Sequence, residues 1–126
     1  MYTRYINDVV INLSYIKGMI NMISDERLDL LIKSEYWIDR KLVAEYGRPQ
    51  DLDILVHDGS SRVRISVARQ GRDKDLDILI NDRNTKVREA VANYGRTKDL
   101  QILVNDINRR VKLAARRKLN SGRKLI

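Results

Sequence analysis

The chain contains no cysteine, which excludes disulfides and thiolate metal sites together. It has one histidine, His57, and no second histidine or cysteine with which to share a transition metal. Without a paired nucleophile that histidine forms no acyl-transfer triad. No apolar run reaches the ~18 residues of a membrane-spanning helix. The N-terminus lacks the basic region, apolar core and small-residue cleavage site of a secretory signal. These absences place the expected location in the cytoplasm. Aromatic residues are few and phenylalanine is missing, so stacking platforms of the kind that single-strand binders use are not evident. Proline occurs once, at Pro49.

Charge is plentiful and unevenly placed. The formal net charge is +8, yet residues 1–106 hold 17 basic and 17 acidic side chains. The excess therefore sits in the last 20 residues, on Arg109, Arg110, Lys112, Arg116, Arg117, Lys118, Arg123 and Lys124, with no acid among them. Such an asymmetry points to an acidic partner: nucleic acid, an anionic protein surface or anionic lipid.

What organises the chain is a phrase repeated every 24 residues. From Gly47 it reads GRPQDLDILVHDGSSRVRISVARQ, from Gly71 GRDKDLDILINDRNTKVREAVANY, and from Gly95 GRTKDLQILVNDINRRVKLAARRK. A worn copy lies upstream, where Leu28, Leu30, Leu31 and Ile32 precede Leu52, Ile54, Leu55 and Val56. In it Ser34 replaces the recurrent Asp58, Asp82 and Asp106, and Asp39 replaces Val63, Val87 and Val111. A fixed period of this size predicts a solenoid of stacked units, in which terminal copies are often atypical.

Each unit reads as two short helices. In the copy from Gly71, Asp73 is placed to cap the first helix, with Asp75 in its first turn where the helix dipole favours an acid. Leu76, Leu79 and Ile80 form its apolar stripe. Asn84 or Thr85 caps the second helix, whose apolar face is Val87, Ala90, Val91 and Tyr94, and Gly95 supplies a left-handed terminating residue. Pro49 lies at the opening of a first helix, where a missing N–H costs little. Ala68, Ala92 and Ala115 or Ala114 are small where second helices pack closely, and Tyr46 and Tyr94 are expected between helices. Helices of eight to ten residues are marginal alone, so stacking must complete the core. The expectation is a single all-α domain, 1–126. It comprises an N-terminal capping helix (1–24), four two-helix repeats (25–119) in a right-handed α-solenoid, and a basic C-terminal tail (120–126). The cap rests on Ile6, Val9, Val10, Leu13, Ile16, Ile20 and Ile23 at helical spacing. Tyr36 and Trp37 fill its junction with the first unit or form an exposed hot spot for a protein partner.

The phrase Val87-Arg88-Glu89-Ala90-Val91-Ala92, followed after a short gap by D-L-x-I-L-x-x-D, resembles the 24-residue leucine-rich-repeat variant, a relative in style of HEAT repeats. The resemblance covers about residues 25–119 and implies an α-solenoid of alternating short helices. The founding member's iron–sulfur segment is not carried over, since no cysteine is present, and no cofactor is expected. HEAT-type repeats also imply an Asp–Arg ladder along the stack. Asp58 and Arg64, Asp82 and Arg88, and Asp106 and Lys112 have its spacing, with Lys112 breaking the guanidinium fork at the last rung. These side chains are expected to stitch units together rather than bind ligand.

The recurrent aspartates read as caps and ladder members, and Gly47-Arg48, Gly71-Arg72 and Gly95-Arg96 end helices rather than open phosphate loops. Catalysis is not expected, including that of the longer HEAT-like DNA glycosylases. A surface is the better candidate. On each second helix, the position before the recurrent valine and the one seven further on share a face. These are Arg62 and Arg69, Lys86 and Asn93, Arg110 and Arg117, with Ile38 and Glu45 in the worn unit. The expected site is this basic stripe (Arg62, Arg69, Lys86, Arg110, Arg117) with Arg109, Arg116, Lys118, Arg123 and Lys124. The expected role is a protein-binding adaptor for an acidic partner, the alternative being backbone binding of DNA or RNA. An apolar terminal edge would in addition permit self-association.

Overall fold

The computed structural model describes residues 23–124; the expected N-terminal capping helix lies almost entirely outside them. Eight helices follow one another among the described residues, and there is no strand. They are α1 (Asp25–Leu31), α2 (Trp37–Tyr46), α3 (Pro49–Leu55), α4 (Ser61–Gln70), α5 (Asp73–Leu79), α6 (Thr85–Tyr94), α7 (Thr97–Leu103) and α8 (Arg109–Lys124). Odd-numbered helices are seven residues long, and α2, α4 and α6 are ten. Two helices therefore fill each period. Second helices α2, α4, α6 and α8 pack side by side in order, and each first helix leans on its own second helix.

The core repeats with the sequence. Leu28, Leu52, Leu76 and Leu100 are buried, as are Leu55, Leu79 and Leu103, and Val63, Val87 and Val111. Burying each such side chain stabilises by roughly 1.5–3 kcal/mol, and because the positions recur, every unit contributes alike. Ala44, Ala68 and Ala92 are fully buried between second helices, where a Cβ is all the space allows. The equivalent in α8 is Arg116, not Ala114 or Ala115, and it is exposed. Lys112, the counterpart of Arg88, points to the same open end. The C-terminal edge of the stack is thus charged rather than apolar, which discourages a further copy from continuing it. Residues 120–124 are no separate tail: α8 runs on to Lys124, and Leu119 packs against the core.

The second helices α4, α6 and α8 are capped by side chains, whereas α2, entered from Tyr36, is not. Ser60 accepts from the Arg62 N–H, and Asn84 from Lys86 and Val87. Among first helices α1 is capped by Ser24, which accepts from the Arg27 N–H, whereas α3 and α5 have no side-chain cap bond. Asp73 is the first helical residue and the cap position is Arg72, without a side-chain cap bond. Pro49 stands at the start of α3 as expected. Gly47 and Gly71 end their helices with φ of 84° and 72°, but Gly95 is extended at φ −87° and ψ 177°. Glycine is needed at 95 for room, because a Cβ would run into the Val91 carbonyl and crowd Asp99. Gly95→Ala is therefore expected to cost about 1–3 kcal/mol, as overpacking does. Gly59→Ala, where a Cβ meets nothing within 4 Å, should stay within about 0.5 kcal/mol. Chemical denaturation of both variants checks the contrast, and equal costs would contradict it.

Candidate interaction surface

The arginines divide by what they touch. In the first ladder, Arg40 donates through Nε and Nη2 to the two carboxylate oxygens of Asp58 at 2.7 and 3.2 Å. Arg64 does the same to Asp82 at 2.7 and 3.1 Å, and Arg88 to Asp106 at 2.8 and 3.2 Å. Each Nη1 bonds a carbonyl of its own unit: Ser34, Asp58 or Asp82. The aspartates also accept from the turn amides of Ser60, Asn84 and Asn108. One guanidinium thus ties its own inter-helix turn to that of the next unit, so the expected stitching role holds with a different pairing. The last rung is Arg88–Asp106, a full fork, and Lys112 lies beyond it. Burial pushes the Asp106 carboxyl up, but Arg88, the Asn108 N–H and nearby positive charge hold it below the ordinary aspartate value.

Arg40 was not visible from sequence because its own unit lacks the aspartate six residues earlier. Ser34 takes that place, donating to Asp39 at 2.6 Å. The worn unit keeps the outgoing half of the ladder and has lost only the incoming half.

A second ladder, also missed, uses the arginine after each glycine. Arg48 forks onto Asp51 at 2.6 and 3.0 Å and reaches back to Asp29 at 2.7 Å. Arg72 does so with Asp75 and Asp53, and Arg96 with Asp99 and Asp77. Asp51, Asp75 and Asp99 are buried in the first turns of their helices, where paired charge and helix dipole are both favourable. The hydrogen bonds that Arg72 donates to Asp75 and Asp53 raise its pKa, against burial. Lys74 and Arg72 lower that of Asp53, and Arg96 lowers that of Asp77. The recurrence of Arg three residues before a buried Asp was the available signal.

Six arginines are thus engaged in holding the stack, and what is left marks the surface. Arg62, Arg69, Lys86, Asn93, Arg110 and Arg117 are all exposed. Among the described residues the basic members have one carboxylate contact between them, Arg110 with Glu89 at 3.7 Å. The side chains line two shallow grooves. Ile65, Arg69, Lys86, Glu89, Asn93 and Tyr94 border the one between α4 and α6. Glu89, Asn93, Arg110, Leu113 and Arg117 border the one between α6 and α8.

Three expectations change here. Tyr94 is not packed between helices but 48% exposed, its ring 6.0 Å from the Arg69 guanidinium carbon. Aromatic residues do border the stripe, since Arg62 also lies over the half-buried Trp37 at 4.8 Å. Tyr36, beside it, is 64% exposed. Finally, Arg109, Arg116 and Lys118 do not continue the stripe. At about 100° per residue, Arg109, Lys112 and Arg116 turn toward the open end, away from Arg110 and Arg117. Lys118 donates to the Asn93 carbonyl at 2.6 Å and so bridges α8 to α6. Arg123 and Lys124 belong to the last turn of α8.

His57 is exposed in the turn after α3. Among the described residues no group of three or more His, Asp or Glu side chains is placed to hold a metal, and no helix is long and apolar enough to cross a membrane. Comparison with protein-family models, with curated proteins and with solved structures found no match to this chain.

Proposed function

We propose that the chain is a non-enzymatic interaction module of the leucine-rich-repeat-variant or HEAT-like kind, whose second-helix layer binds an acidic protein segment. The observation that carries this reading lies between the two basic columns. There the repeat-equivalent residues are Ile65, Glu89 and Leu113. A track for phosphates would place cations or amides along that line, whereas aliphatic side chains and one acid suit a polypeptide with mixed side chains. Toward the first unit the basic columns give way to Glu45, paired with Lys41, and to Ile38, 61% exposed, next to Trp37 and Tyr36. An acidic segment carrying an aliphatic or aromatic anchor fits that order, because large apolar anchors supply much of an interface's energy.

The second reading, backbone binding of nucleic acid, is favoured by the acid-free α8, with Arg109, Lys112 and Arg116 at the open end. Fluorescence anisotropy separates the two. Acidic peptides bearing aliphatic or aromatic residues and a labelled duplex DNA are titrated at low and near-physiological salt. The peptide is expected to stay bound at the higher salt, while the duplex, held by charge alone, loses orders of magnitude in affinity. Arg62→Glu with Arg110→Glu should abolish peptide binding at unchanged helicity, as neither residue is in the core. Duplex retained at near-physiological salt with no peptide bound would replace the protein reading by the nucleic-acid one.

A further inference from the structure

The opposite layer carries an apolar stripe that the sequence pattern hides among core residues. Leu30, Ile54, Ile78 and Ile102 occupy the same position in the four first helices and are 67, 62, 43 and 58% exposed. Scattered surface aliphatics are ordinary, but one per unit along the whole array is a line. With about 10 Å between adjacent helices, it runs for roughly 30 Å.

One turn earlier on the same helix faces, in register, stand Glu26, Gln50, Lys74 and Lys98, all exposed. That column begins acidic at the first unit and ends basic at the last. A second copy laid antiparallel along the stack, about a twofold axis parallel to the first helices, meets it with opposite sign. Glu26 then faces the partner's Lys98, and Gln50 faces the partner's Lys74. Leu30 lies against the partner's Ile102, and Ile54 against the partner's Ile78. A twofold interface must be complementary to itself, and this column becomes so only when the stack direction is reversed. A twofold that kept the stack direction would reverse the helices instead, and the charged column would not meet itself.

We propose that the first-helix layer is the interface of an antiparallel homodimer. It leaves the second-helix layer free and is independent of what that layer binds. Because Lys74 and Lys98 already contact Asp53 and Asp77 at 2.9 and 3.7 Å, dimer formation shares these cations rather than burying them unpaired. Four aliphatic side chains and one charged column make a small interface, so the dimer dissociates on dilution.

Sedimentation velocity over a concentration series tests this. The unmodified chain is expected to pass from monomer to dimer. Glu26→Lys and Lys98→Glu should each weaken the dimer at least tenfold, and the double exchange should restore it. Ile54→Ser with Ile78→Ser should leave monomer of unchanged helicity, since both side chains are exposed. The absence of native cysteine allows a direct check of direction: Leu30→Cys mixed with Ile102→Cys should oxidise to the mixed disulfide in preference to either self-pair. A chain monomeric at every concentration overturns the proposal. So does a dimer that survives the two serines, or one in which Leu30→Cys pairs mainly with itself.

Discussion

Arg64→Leu is expected to lower the unfolding free energy by about 3–5 kcal/mol, the cost of leaving one member of a buried ion pair alone. The guanidinium is 6% and Asp82 9% exposed at the side chain, so little water can replace what is lost. The substitution strands the Asp82 carboxylate and also the Asp58 carbonyl, which accepts from Nη1 at 2.7 Å. Arg64→Lys should fall between, because a lysine cannot fork onto both oxygens and reach the carbonyl as well. Asp53→Ala removes an exposed ladder partner and should cost no more than ~1 kcal/mol. Urea denaturation followed by circular dichroism gives all three values. If Arg64→Leu cost no more than Asp53→Ala, the ladder would not be what fixes the spacing of the units.

The second large effect is a reversal between equivalent positions. Ala92→Arg places a long charged side chain in a seam where the alanine is wholly buried, and is expected to destabilise by more than about 4 kcal/mol. Arg116→Ala makes the opposite exchange one unit later. It should leave stability within about 0.5 kcal/mol, since Arg116 is exposed and surface changes are mild. Joined with Lys112→Leu, however, it turns the charged end into an apolar edge, and light scattering should show end-to-end association that the unmodified chain lacks. Equal stability losses at 92 and 116 would mean that α8 does not end the array.

The same comparison shows how far the sequence was legible. The 24-residue phrase gave two helices per unit, their apolar stripes and the Asn84 cap, because these depend on residues close together in the chain. It also singled out the basic stripe: residues seven apart on one helix share a face whatever the neighbours do. The ladder was half legible. Asp–Arg spacing within a unit indicated the participants, but pairing runs 18 residues forward, from Arg64 to Asp82, and depends on how one unit sits on the next. Gly95 misled for a similar reason. A helix-ending glycine ordinarily means positive φ, whereas here the packing of α7 against the end of α6 sets an extended backbone and a steric need.

The sequence by itself determined the all-helical class and the two-helix unit that recurs every 24 residues, since periodicity is local and additive. Tertiary structure decided which charges are engaged and which are left for a partner. Arg62 and Arg64 are indistinguishable by type and two positions apart, yet one faces solvent and the other lies 5% exposed in a fork. It also decided that Leu30, Ile54, Ile78 and Ile102 lie outside the core although they recur as regularly as Leu28, Leu52, Leu76 and Leu100. A helix has room for one buried face, and which of two apolar columns fills it depends on where the neighbouring helix lies.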